Sequence, residues 1–146
     1  MRRSPAPARL PPAVALMLTL LAGVGQAADL KVAVQGVRGS QGPVKLMLFD
    51  KEDGFRKEDK ARQVLVLPTG ASPVLGTFAG LAPGRYAVIA YHDENGDNTL
   101  NLRFGMFPKE GYGLSNNPRL SGPPKFAQAA FDLPEAGRQI EIALDY

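Results

Sequence analysis

The sequence predicts an all-β fold, a single sandwich of about seven strands, and three observations lead to this prediction. Short runs in which apolar and polar residues alternate are spread along the chain from residue 30 to residue 144. The 16 glycines and 13 prolines often fall between these runs, where turns require them. Only residues 56–63 are a helix candidate, and because they are strongly charged we expect one or two exposed turns there.

Each predicted strand is a run that can turn an apolar face toward a core. The first alternates Leu30, Val32 and Val34 with less apolar neighbours, which is the two-residue period of a strand. The run 86–91 is the most apolar and is therefore expected near the centre of a sheet. The predicted strands are residues 30–35, 44–49, 64–67, 74–78, 86–91, 126–133 and 139–144.

A sharp corner is predicted where Pro83 and Gly84 precede Tyr86. Pro83 restricts its own φ, Gly84 tolerates a positive φ, and the Tyr86 hydroxyl can bond to the backbone of the corner. With Phe78 and Leu81 ahead of it, this string is similar to the corner of transthyretin-like and collagen-adhesin B-type sandwiches. The expected fold is therefore an immunoglobulin-like or transthyretin-like (prealbumin-like) sandwich.

A long ordered loop is predicted between residues 98 and 125, where the sequence favours no strand. Glycines and prolines interrupt this segment repeatedly. Connections longer than about 15 residues are uncommon and are often functional. We expect its apolar residues to hold the loop against one end of the sandwich.

The first 28 residues have the pattern of a signal peptide, which leaves residues 29–146 as the β-sandwich domain. Three arginines precede an apolar stretch at 13–24, which is shorter than the roughly 20 residues that a membrane span needs. Small residues then suit cleavage after Ala27 or Ala28. We therefore expect export to the bacterial periplasm or the extracellular space, with no membrane span in the mature chain.

Charge and cysteine content exclude several classes of function. The chain has 17 Lys and Arg against 14 Asp and Glu, but Arg2, Arg3 and Arg9 belong to the predicted signal peptide. The mature chain is therefore close to neutral, and nucleic acid is not expected as a partner, because its binders carry a clustered basic excess. The absence of cysteine excludes disulfides, thiol catalysis and cysteine-ligated metals.

Oxygen-bearing side chains follow the most apolar strand. Asp93, Asn95 and Asp97 alternate around a glycine and Asn101 follows, a spacing that can turn several oxygens toward a calcium ion. Only two of these four ligands carry a charge, so we expect a dissociation constant of about 10⁻⁴–10⁻³ M, as in extracellular modules. The alternative is a turn in which the same side chains bond to their own backbone.

His92 is the only histidine, and it allows two interpretations. As a general acid or base it would make the protein an exported hydrolase, with Ser115 as an available nucleophile. Alternatively, its ring bonds to a loop carbonyl at the end of the strand. The absence of a surrounding catalytic constellation in the sequence favours the second interpretation.

The stretch 112–117 contains an aromatic ring from Tyr112 and two amides from Asn116 and Asn117. Such groups recognise small molecules, glycans or peptides. The alternative is that the amides satisfy the backbone of their own loop while Tyr112 packs beneath it. Together with His92, these three are the predicted ligand-binding residues.

Several motifs together resemble a bacterial family. They are the export signal, the Pro-Gly-x-Tyr corner, and the segments 92–96 (HDENG), 108–113 (PKEGYG), 115–117 (SNN) and 122–126 (GPPKF). In combination they resemble the family catalogued as domain of unknown function 2141, over essentially the whole mature chain. The resemblance implies an exported bacterial β-sandwich without an established activity. One difference is that Asp97 and Asn101 stand where members often have Asn and Asp, respectively.

The sequence favours an exported, non-enzymatic module that binds a ligand or has a structural role, with calcium as the only candidate cofactor. Its candidate functional surface is the end formed by residues 93–101 and 103–124. The candidate partners are a small molecule, a glycan or a cell-envelope protein. The alternatives are the hydrolase and an accessory subunit of a cell-envelope complex, which would show an exposed strand edge or apolar patch.

Overall fold

The structure of the protein, a computed structural model, describes residues 25–103 and 107–146. Residues 1–24 of the predicted signal peptide lie outside the described residues. No helix in the described ranges is long and apolar enough to cross a membrane.

The described residues form ten β-strands, one short α-helix, α1 (Phe126–Ala129), and one 3₁₀ turn, Glu58–Lys60. The strands agree with the predicted runs to within a few residues for most of the sandwich. They are β1 (Ala28–Gln35), β2 (Val44–Phe49), β3 (Gln63–Leu67), β4 (Val74–Leu81), β5 (Gly84–His92), β6 (Leu102–Arg103), β7 (Phe107–Pro108), β8 (Tyr112–Leu114), β9 (Phe131–Leu133) and β10 (Arg138–Ala143).

Two sheets form the sandwich. The smaller sheet has the order β10-β1-β4, with β1 parallel to β10 and antiparallel to β4. The larger sheet has the antiparallel order β3-β2-β5-β8, and β9 pairs with the first residues of β5. β6 and β7 form a separate two-stranded ribbon. The predicted all-β sandwich is confirmed.

All residues of β2 and the last seven residues of β5 are buried. Because successive residues of a strand point to opposite sides, the larger sheet is buried on both faces. One side faces the smaller sheet, and the other faces a second apolar core beneath the loops. Phe55, from the β2–β3 connection, and Phe126 of α1 cover this second core, with their ring centroids 5.7 Å apart. The strand residues on the second side include Met47, Phe49, Ala87, Ile89 and Tyr91.

The predicted corner before β5 is present. The ring of Tyr86 is buried in the sandwich core, and its hydroxyl donates a hydrogen bond of 2.7 Å to the carbonyl of Ala82. The bond spans four residues and therefore holds the turn between β4 and β5 closed.

Within 56–63 the expected exposed turn is present as the 3₁₀ turn Glu58–Lys60, which buries none of its residues. One prediction of secondary structure is wrong. The predicted strand 126–133 begins as α1, and only its last three residues are extended. Phe126 and Ala129 are both buried. A helical turn puts residues three apart on one face, whereas a strand would put them on opposite faces.

The segment 98–125 contains strands that the sequence analysis did not predict, namely β6, β7 and β8. β8 is hydrogen-bonded to β5, so the large sheet extends into the predicted loop. Its central residue, Gly113, is a poor strand former by composition. A Cβ atom there would lie 2.3 Å from the carbonyl oxygen of Ala143, so the close approach of β10 requires glycine.

Candidate functional site

Three side chains form a row across the outer face of the larger sheet. Lys45 in β2 pairs with Tyr91 in β5, and Tyr91 pairs with Tyr112 in β8. Directly opposed residues of neighbouring strands place their side chains on the same face, so these three lie side by side. The next row along the strands is apolar and consists of Met47, Ile89 and Leu114.

A cavity of about 480 Å³ lies against these rows. The outer face of the sheet supplies Met47, Ile89, Tyr91 and Tyr112 to its base. Small-molecule sites in proteins usually have volumes of about 300–1,000 Å³ and mostly apolar linings with a few polar groups. The long loop supplies further lining residues, Leu100, Pro108, Pro123 and Pro124.

Two polar groups of the cavity have no partner within the described part of the chain. The Tyr112 hydroxyl makes no hydrogen bond there, and burial raises the pKa of Tyr112 to about 12 although nearby Arg56 opposes the shift. The hydroxyl therefore keeps its proton at neutral pH and can donate it. Arg56 also lines the cavity, has a positive φ of 77° that is uncommon outside glycine, and forms no ion pair among the described residues.

Lys45 was missed by the sequence analysis. Its side chain is buried, and its Nζ lies 2.7 Å from Glu58 Oε1 and 5.7 Å from the centre of the Tyr91 ring. Burial by itself lowers the pKa of Lys45, but the hydrogen bonds to Glu58 and Tyr91 outweigh it and the net pKa is raised. Lys45 is the only charged residue in the run VKLMLF, which was the signal available in the sequence.

His92 ends β5 and uses both ring nitrogens in hydrogen bonds. Its side chain is 1% exposed, with Nε2 2.7 Å from the Gln41 carbonyl and Nδ1 2.9 Å from the Tyr146 hydroxyl. Because a carbonyl only accepts, Nε2 carries the proton, and in the neutral ring the Tyr146 hydroxyl donates to Nδ1. That hydroxyl in turn accepts from the Arg38 N–H at 2.8 Å. The bond to the Gln41 carbonyl agrees with the second interpretation of His92, in which its ring bonds to a loop carbonyl at the end of the strand.

A second, polar hollow of about 490 Å³ lies beside His92. It is lined by residues 38–41 together with His92 and Glu94, whose Oε1 lies 3.8 Å from Nδ1. Burial raises the pKa of Tyr146, which keeps its hydroxyl protonated as a donor to His92. The arrangement is a closed network that ties the end of β5 to the chain terminus and to the β1–β2 connection.

Asp93 begins the acidic loop as a buried carboxylate. Its two oxygens accept the backbone N–H groups of Asp97 at 3.1 Å and Asn98 at 2.9 Å. Its own N–H donates to the carbonyl of Pro43 at 2.9 Å. Asp93 therefore closes the loop through backbone contacts, as the Asx-turn alternative predicts.

The other three predicted calcium ligands contact one another, because Asn95 and Asn101 both bond to the exposed carboxylate of Asp97. Oδ2 accepts from the side-chain amides of Asn95 and Asn101, each at 3.0 Å, and Oδ1 accepts from the Thr99 N–H at 2.9 Å. These hydrogen bonds, first of all that from Asn101, hold the pKa of Asp97 below its usual value. Within the described ranges, no group of three or more His, Asp or Glu residues is placed to hold a metal.

Glu110 lies next to this loop and was not singled out from the sequence. It is 5% exposed, and its Oε2 accepts from the backbone N–H of Asn101 at 3.1 Å and from its side chain at 3.3 Å. Its other oxygen, Oε1, is buried and has no hydrogen-bond partner among the described residues.

Asn116 and Asn117 bond to backbone on another side of the sandwich. Both have positive φ, at 66° and 44°, which asparagine tolerates better than most residues. Asn116 donates to the carbonyl of Ala130 at 2.8 Å. Asn117 donates to the Glu141 carbonyl at 3.0 Å and accepts from the Ala143 N–H at 2.8 Å, so its amide imitates a strand beside β10.

The four predicted ligand-binding residues are therefore not brought together. Tyr112 lines the apolar cavity and His92 lines the polar hollow. Asn116 bonds to the backbone at the end of α1, and Asn117 bonds to the backbone of β10. Ser115 is also separate from His92, since its buried hydroxyl accepts from the Val88 N–H at 2.9 Å and donates to the Ala129 carbonyl at 2.6 Å.

Comparison with known proteins identifies the family of the chain. No curated protein and no solved structure matches it. A family model described as an uncharacterized protein conserved in bacteria (DUF2141) matches residues 32–141, which run from β1 to β10. Because this match spans most of the chain, the protein belongs to the DUF2141 family of uncharacterized bacterial proteins.

Proposed function

We propose that the protein is an exported, non-enzymatic binding module whose ligand occupies the cavity on the outer face of the larger sheet. The observation that carries this proposal is a cavity of about 480 Å³ whose lining is mainly apolar and includes two tyrosine rings. A base made of strand residues from β2, β5 and β8 is rigid, which suits a preformed site.

The lining indicates the chemistry of the ligand. Met47, Ile89 and Tyr91 offer an apolar surface, and the Tyr112 hydroxyl offers a hydrogen-bond donor that neutral pH leaves protonated. Arg56 adds a positive charge at the same cavity. A small, largely apolar molecule with one carboxylate or other anionic group would satisfy all of these groups.

The alternative of a hydrolase draws no support from the geometry of His92 and Ser115. Both nitrogens of His92 are already in hydrogen bonds, and the Ser115 hydroxyl is buried between Val88 and Ala129. A general base must reach the proton that it removes, and neither group faces the apolar cavity.

Binding of the aromatic anion 8-anilinonaphthalene-1-sulfonate to the folded protein tests the proposal. We expect saturable fluorescence enhancement that aliphatic and aromatic carboxylates displace. Arg56→Gln should weaken binding about tenfold, because an ionic hydrogen bond contributes about 1.5–3 kcal/mol. Arg119→Gln, a change at another exposed arginine, is the matched control and should bind normally. Equal weakening in both variants, or no saturable binding, would reject the site.

The proposal also includes calcium as a stabiliser of the 93–101 loop, and Glu110 is the observation that supports it. A buried carboxylate oxygen without a partner is unfavourable by about 1–3 kcal/mol or more, a cost that a nearby cation would offset. Asn101 joins Glu110 to Asp97, with its side-chain nitrogen 3.3 Å from one carboxylate and 3.0 Å from the other. On binding, the amides of Asn95 and Asn101 would turn their oxygens toward the ion.

Thermal unfolding in EDTA, in calcium and in magnesium tests this part. Calcium at ten times its dissociation constant should raise the free energy of unfolding by about 1.4 kcal/mol. The rise should be specific to calcium and should disappear in Asp97→Asn. A rise that magnesium reproduces, or that survives this substitution, would remove the loop from consideration as a calcium site.

The position of Ala28 favours one of the two predicted cleavage sites of the proposed signal peptide. This residue is buried at the start of β1 and pairs with Leu81, so cleavage after Ala27 would keep it in the sheet. Mass spectrometry of the protein purified from a bacterial host should find Ala28 at the N-terminus. An intact Met1 would contradict export by cleavage.

A further inference from the structure

The free edge of the smaller sheet is uncharged. No Asp, Glu, Lys or Arg occurs from residue 64 to residue 84, although 21% of the chain is charged. Among the described strands, β4 pairs only with β1, so its other side is open. Leu75 on β4 is 67% exposed and Val66 on β3 is 58% exposed, and with Tyr146 they are the exposed large apolar residues of the described chain.

Exposed strand edges are usually protected against pairing by a lysine, a proline or a bulge within the strand. β4 contains neither lysine nor proline, because Pro73 and Pro83 lie just outside its two ends. In the pairing with β1, β4 carries one extra residue between Phe78 and Leu81, where Gly80 has a positive φ of 69°. This irregularity lies at the end of β4, and residues 74–78 form a regular strand without lysine or proline.

We propose that β4 pairs antiparallel with β4 of a second copy of the chain, around a two-fold axis at Thr77. In this alignment Thr77 faces Thr77 of the second copy and Leu75 faces its Ala79. All three residues are exposed and lie on the same face of the strand, so the buried faces of the two copies also coincide. The two three-stranded sheets would join into one sheet of six strands.

The chemistry of the edge favours a second copy over a different partner. A two-fold interface brings each group near its own counterpart, so a charged strand would repel itself, whereas an uncharged strand does not. Threonine opposite threonine is a favourable cross-strand pair. The apolar Leu75 side chain would gain a contact with Ala79 and lose its exposure to water.

The opposite edge of the same sheet explains why pairing would stop at two copies. The outer side of β10 is occupied, because Asn117 bonds to the backbone at Glu141 and Ala143, and Tyr112 and Asp145 exchange two backbone hydrogen bonds of 2.9 Å. The smaller sheet therefore has one open edge and one occupied edge, so a two-fold contact at β4 leaves this sheet no further edge for a filament.

Sedimentation velocity of the purified chain tests the proposal directly. We expect a dimer that dissociates on dilution, and we expect Leu75→Lys to be monomeric at concentrations where the unchanged chain is dimeric. Circular dichroism and the thermal midpoint of the variant establish that it is folded. A chain that stays monomeric at the highest attainable concentration would overturn the proposal, and such a monomer is expected for an accessory subunit that pairs with a different protein. Formation of a filament would also overturn it.

A disulfide test locates the contact, since the chain has no cysteine of its own. Directly opposed residues of antiparallel strands have Cα atoms about 4.5–5.5 Å apart, within the range of about 4.4–6.8 Å that a disulfide spans. Thr77→Cys should therefore give mostly crosslinked dimer under mild oxidation. Glu141→Cys, an exposed position on the opposite edge, is the matched control and should stay monomeric on a denaturing gel. Equal crosslinking of the two variants would overturn the proposed axis.

Discussion

The two sides of the sandwich differ in whether the edges of their outermost strands are hydrogen-bonded. On one side β8 of the larger sheet and β10 of the smaller sheet are joined by the Tyr112–Asp145 bridge and by the Asn117 amide. On the other side β3 and β4 lie next to each other without hydrogen bonds between them, and both outer edges are open among the described strands. The first side is sealed by groups from the long segment 98–125, and the second has no such segment.

The long segment has two roles in one molecule. It seals one side of the sandwich, and it also supplies one wall of the apolar cavity through Leu100, Pro108, Pro123 and Pro124. Tyr112 takes part in both, because its backbone bonds to Asp145 and its side chain lines the cavity. We therefore expect changes on the sealed side to affect stability and changes on the open side to affect association.

The largest effect is expected for Gly113→Val on the sealed side. The added side chain would meet the Ala143 carbonyl at 2.3 Å, so β8 and β10 would have to separate. We expect the free energy of unfolding to fall by about 3 kcal/mol or more, measured by urea denaturation. Gly122→Val is the control, because no atom lies within 4 Å of its Cβ position. Similar losses of unfolding free energy in both variants would mean that the close contact between β8 and β10 does not determine the stability of the protein.

Asn117→Ala should have the next largest effect. It removes the two hydrogen bonds to the β10 backbone, for which we expect a loss of about 1–2 kcal/mol in urea denaturation. Asn117→Gly keeps the positive φ accessible and isolates the contribution of the hydrogen bonds. Thr77→Ala on the open side, made in the Leu75→Lys background, should change stability by less than about 0.5 kcal/mol. A larger loss of unfolding free energy for Thr77→Ala than for Asn117→Ala would show that the open side contributes more to stability than the sealed side.

The burial of Tyr112 on the sealed side should appear in alkaline solution. Its pKa is raised from 10.0 to about 12, so the folded protein keeps a proton that the unfolded chain releases. The contribution of this proton to stability is complete below pH 10 and is lost as the pH rises toward 12. Tyr112→Phe should make the free energy of unfolding depend less on pH in this interval. An unchanged dependence would show that the ring is more exposed than the structure places it.

The smallest effect is expected for the exchange rates of the β4 amide hydrogens, which should differ between the monomer and the dimer. The Ala143 N–H is bonded to Asn117 Oδ1 and should exchange slowly. In the monomeric Leu75→Lys variant, alternate amides of β4 point away from β1 and should exchange fast. In the dimer these same amides should become protected. Protection of all β4 amides in the monomer would mean that another segment covers the open edge.

Particular residues show how far the sequence predicted the fold and the site. The run 44–49 and the corner around Tyr86 were predicted well, because alternation and Pro-Gly turn chemistry are local signals. α1 and β8 were missed, because their structure depends on burial of Phe126 beneath the loops and on the close approach of β10 to Gly113. Of the predicted ligand-binding residues only Tyr112 lines the cavity, whose wall from the long segment belongs to the predicted surface but whose base of β2 and β5 residues was not predicted.

The amino-acid sequence by itself determined the all-β class, the corner at Tyr86 and the family, because these follow from periodicity, turn residues and local motifs. Only the tertiary structure decided what His92, Asn116 and Asn117 contact, which strands are left at an open edge, and where the cavity lies. Those properties depend on pairs of groups that are distant in the chain, such as Asn117 with Ala143 and His92 with Tyr146. Strand pairing and packing bring such groups together, and no local pattern records their distances.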